Sequence, residues 1–166
     1  TKHLNINMFN FGITSKGNKE SKLYFPYYKN KQLSLWGSQN LKNLKNRLKK
    51  YTYLNPKNVK FKLLKCEFRE FPKIKAKISI IKIDVEGAEF EVLKSLDKII
   101  ILNKPLIFIE YNENNFKNSF SFLKKKNYKA FCFHNSKLVM IKNNNEMKKV
   151  LSLKKKRTVN IIFKYD

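Results

Sequence analysis

Ile78-Ser79-Ile80-Ile81-Lys82-Ile83-Asp84-Val85-Glu86-Gly87-Ala88-Glu89 decides the fold of this chain. The stretch is apolar and β-branched from Ile78 to Ile83, broken only by Ser79 and Lys82, then turns acidic and stops at a glycine. A run of this kind reads as a buried strand. From Gly87 the period changes. Ala88, Val92, Leu93 and Leu96 recur at helical spacing, with Glu89, Glu91 and Lys94 between them. The pattern therefore predicts a strand over 78–84, a tight turn over Val85 to Gly87, and a helix over 88–98. In open α/β sheets ligands gather just outside the carboxyl ends of the strands, which is where Asp84 and Glu86 fall.

Downstream, Pro105 to Tyr111 is a second apolar strand that ends on an acid, Glu110, with Asn112 and Glu113 after it. Phe116, Phe120 and Leu123 mark an amphipathic helix ending near Asn127. Ala130–Phe133 and Leu138–Ile141 flank a predicted hairpin turn over 134–137, and Val159–Lys164 is a closing strand. Residues 143–145 and 154–157 read as solvated linkers. Strand, helix, strand, helix, then strands is the order of an α/β fold. Its central sheet is expected to be mostly parallel, with antiparallel strands at the C-terminal end.

Upstream, Asn5 to Ile13 alternates as a strand does, 14–18 is a turn, and Lys22–Phe25 is a short strand stopped by Pro26. Residues 27–37 read as an irregular surface loop. Ser38 is the predicted N-cap of a helix carrying Leu41, Leu44, Leu48 and Tyr51 on one face and lysines on the other. Asn55-Pro56 closes that unit, and Val59–Phe68 is extended.

The 166 residues are 42% hydrophobic and 14% aromatic, enough for a packed core and unlike a disordered composition. The longest uninterrupted apolar runs fall far short of a membrane span. The net charge of +25 points towards polyanions, but only Arg47, Arg69 and Arg157 are arginines. Bidentate phosphate and guanine contacts favour arginine, and a chain rich in Lys, Asn, Ile, Phe and Tyr has the composition of an AT-rich genome. Cys66 and Cys132 form no CxxC, and His3 and His134 have no metal-ligand spacing, so no metal site is expected. Two reduced cysteines fit a reducing, cytoplasmic setting.

Two strand ends thus carry acids, Asp84 with Glu86 and, separately, Glu110. Neighbouring parallel strands lie roughly 4.8 Å apart, so their carboxyl ends share one cleft. Paired carboxylates there serve either as a general base that takes a hydroxyl proton or as oxygen ligands for a divalent ion. The structural alternative is plain: acids at a helix N-terminus stabilise it by ~0.3–1 kcal/mol each, which accounts for Glu89 without chemistry. Asp84 at the end of a buried strand is costlier to place for packing alone.

Ile81-Lys82-Ile83-Asp84-Val85-Glu86-Gly87-Ala88-Glu89, followed by Val92-Leu93-Lys94, closely resembles the signature of the FkbM-type methyltransferases. The resemblance implies a Rossmann-like class I methyltransferase fold, S-adenosylmethionine as cofactor, and O-methylation of a hydroxyl on a sugar, glycan or secondary metabolite. The catalytic candidates, from the strand-end reading, are Asp84, Glu86 and Glu110. The resemblance also places Asp84 near the methionine end of the cofactor, and Phe11 and Gly12 near its adenine edge.

The four glycines, Gly12, Gly17, Gly37 and Gly87, form no G-x-G, which a nucleotide-type cofactor loop needs. The expectation is one domain over 1–166 that lacks the family's N-terminal cofactor-loop part. Within it, 14–70 would be a variable insert and 78–111 the central strand–helix–strand. In the resembled fold a first strand pairs with 78–84, so one edge of that strand is expected to be open. Two other readings stand beside this one. One is a non-catalytic basic module that binds polyanions or nucleic acid, marked by lysines gathered on one face with exposed aromatics. The other is a degenerate structural domain.

Overall fold

The computed structural model describes residues 6–17, 19–33, 36–49, 54–85, 87–111, 113–134, 136–152 and 159–166. The chain forms two compact units, Thr1–Glu70 and Phe71–Asp166.

The first unit is a four-stranded sheet in the order β1-β4-β2-β3 with one helix. Its strands are β1 (Gly12–Ile13), β2 (Lys19–Tyr28), β3 (Lys31–Gln32) and β4 (Val59–Arg69), and α1 is Leu41–Leu48. The long β2–β4 ribbon is antiparallel, from Lys19↔Phe68 to Tyr28↔Val59. Alternation puts Tyr24, Tyr28, Val59 and Phe61 on one face, where they pack against Leu44 and Leu48 of α1.

Several local expectations are corrected here. The strand pattern over 5–13 yields only Gly12–Ile13 among the described residues, and that pair runs parallel to Phe68–Arg69 of β4. Pro26 does not stop its strand: β2 continues to Tyr28. The Leu33 N–H donates to the Pro26 carbonyl at 2.9 Å. In an antiparallel strand a residue's nitrogen and carbonyl point the same way, so the missing N–H faces β3 and the β4 ladder loses no donor. Residues 28–32 form a tight hairpin, with Lys29 at φ 48° and Asn30 at φ 64°. Two positive φ values make the inward-twisting turn of a two-residue hairpin, built here without glycine. Asn40, not Ser38, caps α1: its Oδ1 accepts from the Asn43 N–H at 3.0 Å.

The second unit holds a five-stranded sheet in the order β5-β6-β9-β7-β8. Its strands are β5 (Ile80–Ile83), β6 (Leu106–Glu110), β7 (Tyr128–His134), β8 (Lys137–Ile141) and β9 (Asn160–Tyr165). Its helices are α2 (Glu89–Ser95), α3 (Asp97–Asn103), α4 (Glu113–Lys124) and α5 (Asn144–Ser152). β5 and β6 are adjacent and parallel, from Ile80↔Leu106 to Ile83↔Ile109, joined through α2 and α3 as the apolar–acidic–helical pattern predicts. The sheet as a whole is mixed. The β6–β9, β9–β7 and β7–β8 pairings are antiparallel, so the mostly parallel sheet expected from sequence is corrected. One crossover supplies one parallel pair. The hairpin and the reversed closing strand supply the rest, and β9 inserts between β6 and β7.

Residues 143–145, expected as linker, start α5. The Asn143 Oδ1 accepts from the Glu146 N–H at 3.0 Å while Glu146 accepts from the Lys142 N–H at 2.8 Å. This reciprocal cap satisfies orphan donors as a capping box does. The expected linker over 154–157 lies outside the described residues.

The two faces of this sheet differ. Ile83, Ile107, Ile109, Ile161, Phe163 and Ile141 share one core with Leu93, Ile100, Leu123 and Met147 of the helices. By register the other face presents Ile80, Leu106, Phe108, Ile162, Phe131 and Met140. Ile80 is 63% exposed, Phe133 56% and Leu138 52%. β5 is an edge strand of the sheet, as the open-edge expectation requires.

Candidate functional site

The strand ends converge as their parallel register demands. Ile83 pairs with Ile109, so Asp84 and Glu110 follow at adjacent strand ends. They are close enough for Glu110 to act on the Asp84 carboxyl. The Lys82 Nζ lies 2.7 Å from the Asp84 Oδ2. Lys82 and Asp84 are two residues apart on an extended segment and thus project to the same side. Lys82 is the larger cause, and the bond from Glu110 the second, that holds the Asp84 carboxyl below the usual carboxylate range against a smaller opposing effect of burial. The Asp84 side chain keeps 54% of its surface open to solvent. Glu86, the third expected acid, lies outside the described residues.

Behind the pair lies a small cleft lined by Glu89, Ile109, Glu110, Asn115, Phe116 and Ser119, with Ile161 and Phe163 as its floor. Glu89 opens α2 and is 2% exposed. Its Oε1 accepts from the Gly87 N–H at 2.8 Å, and its Oε2 accepts from the Asn115 side-chain amide at 3.1 Å. The same amide donates to the Gly87 carbonyl. Gly87 sits at φ 105°, a conformation that L side chains rarely adopt, so the turn requires glycine. Asn115 was not among the residues that the sequence pointed to. It sits in an asparagine-rich polar run, and only the fold shows that it reaches Gly87.

Phe11 and Gly12 belong to the first unit and the acidic strand ends to the second. Gly12 packs against the Phe68 ring so closely that a Cβ there would lie 2.4 Å from it. Close packing within β1–β4 is thus sufficient reason for that glycine. The Arg69 guanidinium lies over the Phe11 ring, 5.3 Å from its centre, and bonds Glu67 at 2.6 Å.

Among the described residues no group of three or more His, Cys, Asp or Glu side chains is placed to hold a metal ion. Cys66 is half-buried and Cys132 fully buried. Among those same residues no helix is long and apolar enough to cross a membrane.

A family model describing the methyltransferase FkbM domain matches residues 1–130. The chain belongs to the FkbM methyltransferase family. The match covers all of the first unit and, in the second, the acidic strand ends, the Gly87 turn and Asn115. No curated relative and no solved structure matches this FkbM-family chain.

Proposed function

We propose that this chain carries the proton-handling end of an S-adenosylmethionine-dependent O-methyltransferase acting on a hydroxyl of a sugar, glycan or secondary metabolite. Both units would form one methyltransferase domain, since the family match crosses the boundary between them. The observation that carries the reading is the Asp84–Glu110 carboxyl pair at the ends of two parallel strands.

In this reading Asp84 is the proton acceptor. Lys82 keeps it ionised, and Glu110 holds the proton that fixes its orientation. Contacts that hold a carboxylate ionised also weaken it as a base. A weak base suffices here, because a hydroxyl proton becomes strongly acidic once its oxygen has begun to bond to a methyl group. The acceptor O–H bond then breaks late, and the proton moves to Asp84. Glu86 is the third catalytic candidate by its place in the motif.

Family membership implies S-adenosylmethionine as the methyl donor. The two glycines at Gly12 and Gly87 do not fit it. The N–H and carbonyl of Gly87 are taken by Glu89 and Asn115, and Gly12 is covered by Phe68. Neither glycine leaves the bare backbone that a nucleotide-type cofactor needs at a strand end. Phe11, Gly12 and Asp84 therefore remain cofactor contacts by resemblance only. A cytoplasmic, reducing location follows from the cysteine usage.

The test is methyl transfer from labelled S-adenosylmethionine to a panel of sugars, glycans and polyketide-like alcohols by the protein expressed from its complete open reading frame. Titration calorimetry on the chain of 166 residues accompanies it. The expected results are label on an acceptor oxygen and little or no heat from the chain alone. Tight binding by the chain overturns the poor cofactor fit, and no transfer to any hydroxyl overturns the reading.

A second reading rests on the first unit. Residues 1–70 contain only three acids, Glu20, Glu67 and Glu70. Glu20 stands opposite Glu67, on the same face of the β2–β4 ribbon as the residues that pack on α1. The other face carries Lys60, Lys62 and Tyr27, with Lys62 4.6 Å from the centre of the Tyr27 ring. That arrangement favours a polyanion over a neutral partner. Binding to a heparin column that survives Lys60→Glu with Lys62→Glu would dismiss this reading.

A further inference from the structure

Two strand ends carry the carboxyl pair, and each is followed by a segment that returns to meet the other. After Asp84 the chain reaches Gly87 within three residues, and after Glu110 it reaches Asn115 within five. The Asn115 amide donates to both the Gly87 carbonyl and the Glu89 carboxylate. With Asp84 and Glu110 at adjacent ends of paired strands, these bonds close a ring: Asp84, Gly87, Asn115, Glu110 and back to Asp84.

Glu89 is the anchor of that ring. A carboxylate 2% exposed is costly unless fully bonded, and its two oxygens take the Gly87 N–H and the Asn115 amide. The interaction is therefore a strong one. Removing one donor leaves a buried charge under-satisfied. Gly87 contributes the φ of 105° that lets its N–H and carbonyl serve two side chains at once. Glu110 lines the same cleft as Glu89 and Asn115, so one member of the carboxyl pair borders the space beside the clamp.

We propose that Asn115 is a positioning residue: it ties α4 to the Gly87 turn and so holds Glu110 against Asp84. The strand register brings the two backbones together, but it does not by itself fix the side chains at the strand ends. The clamp fixes the segment beyond each strand, which removes that freedom. This rests on the reading of Asp84 and Glu110 as the proton-handling pair, yet it is tested on the chain itself without any methyl transfer.

The experiment follows the side-chain carboxyl signals of Asp84 and Glu110 by NMR through a pH titration of the chain, in the wild type and in Asn115→Ala and Leu123→Ala. Leu123 is fully buried on the same helix but has no part in the clamp. Asn115→Ala should move the Asp84 midpoint upward and uncouple the two titrations. Leu123→Ala should lower the melting temperature and leave the midpoint where it was. An unmoved midpoint in folded Asn115→Ala overturns the proposal, as does an equal shift in Leu123→Ala. In the wild type the Asn115 side-chain amide protons should exchange slowly. Fast exchange overturns the proposal even if the alanine variant fails to fold. A chain that shows the coupling but never transfers methyl refutes the enzymatic reading and leaves the clamp standing.

Discussion

The Lys82 ammonium lies 2.7 Å from the Asp84 carboxylate, two residues further along the same edge strand, with 48% and 54% of the two side chains open to solvent. An exposed pair of this kind contributes ~0–1 kcal/mol to stability, so losing it should change the fold little. Asp84→Asn keeps the shape and a hydrogen-bonding amide but loses the charge. In the protein expressed from its complete open reading frame, methyl transfer should fall about 10²–10⁴-fold, the range for loss of a general base, with the melting temperature little changed. Turnover equal to wild type would leave Asp84 as a strand-end cap.

Two neighbours act on Asp84 in a definite order, Lys82 ahead of Glu110. Lys82→Ala should therefore raise the Asp84 titration midpoint more than Glu110→Ala does. A carboxyl held below its unfolded value stabilises the fold at pH above that unfolded value, near ~4. The contribution is lost as pH falls through the lower, folded value. Urea melts at pH 7 and pH 2 should show a larger acid-induced loss in wild type than in Lys82→Ala. The difference should be small, because both groups are exposed. The reverse order of the two midpoints would show that Glu110, not Lys82, sets the charge on Asp84.

Tyr128 meets Tyr165 edge-on, with ring centres 5.6 Å apart at 81°. Burial first, and the neighbouring Tyr165 second, push the Tyr128 hydroxyl up to about 12. The Lys104 ammonium instead lowers Tyr165. Tyrosinate absorbance should thus rise in separate steps, Tyr165 before Tyr128. A folded-state value above the unfolded ~10 means that the stability from neutral, buried Tyr128 is complete below ~10. It is lost as pH rises towards about 12. Tyr128→Phe should delete the last step and delay alkaline unfolding. It should cost little at neutral pH, since the Tyr128 hydroxyl has no hydrogen-bond partner. A Tyr128 step at the ordinary tyrosine value would contradict the burial.

Ile80, Phe133 and Leu138 are more than half exposed on the sheet face away from the shared core. Exposed apolar surface beside an open strand edge favours association. The chain should therefore self-associate at micromolar concentration despite its charge of +25. Ile80→Lys with Phe133→Ser should shift sedimentation velocity towards monomer. A monodisperse wild-type monomer with no dye-binding apolar surface would refute this.

By itself the sequence determined what depends on local period. The β-branched run before Asp84, the helical spacing after Gly87, the apolar strand before Glu110 and the hairpin around His134 each bury one face at a fixed repeat, and that repeat is written in neighbouring residues. It also determined which two strand ends carry acids and, through the motif around Asp84 and Glu86, the family. Pairing partners were decided only by the tertiary structure, because hydrogen-bonded ladders join residues far apart in the chain. Thus Gly12 and Ile13 pair with β4, β9 enters between β6 and β7, and the sheet is mixed rather than mostly parallel. The same holds for polar side chains whose role depends on reach. Asn40 rather than Ser38 caps α1, Asn143 begins a helix with Glu146, and Asn115 is placed to meet Gly87 and Glu89. An asparagine carries the same donors wherever it stands; only the packed fold aims them.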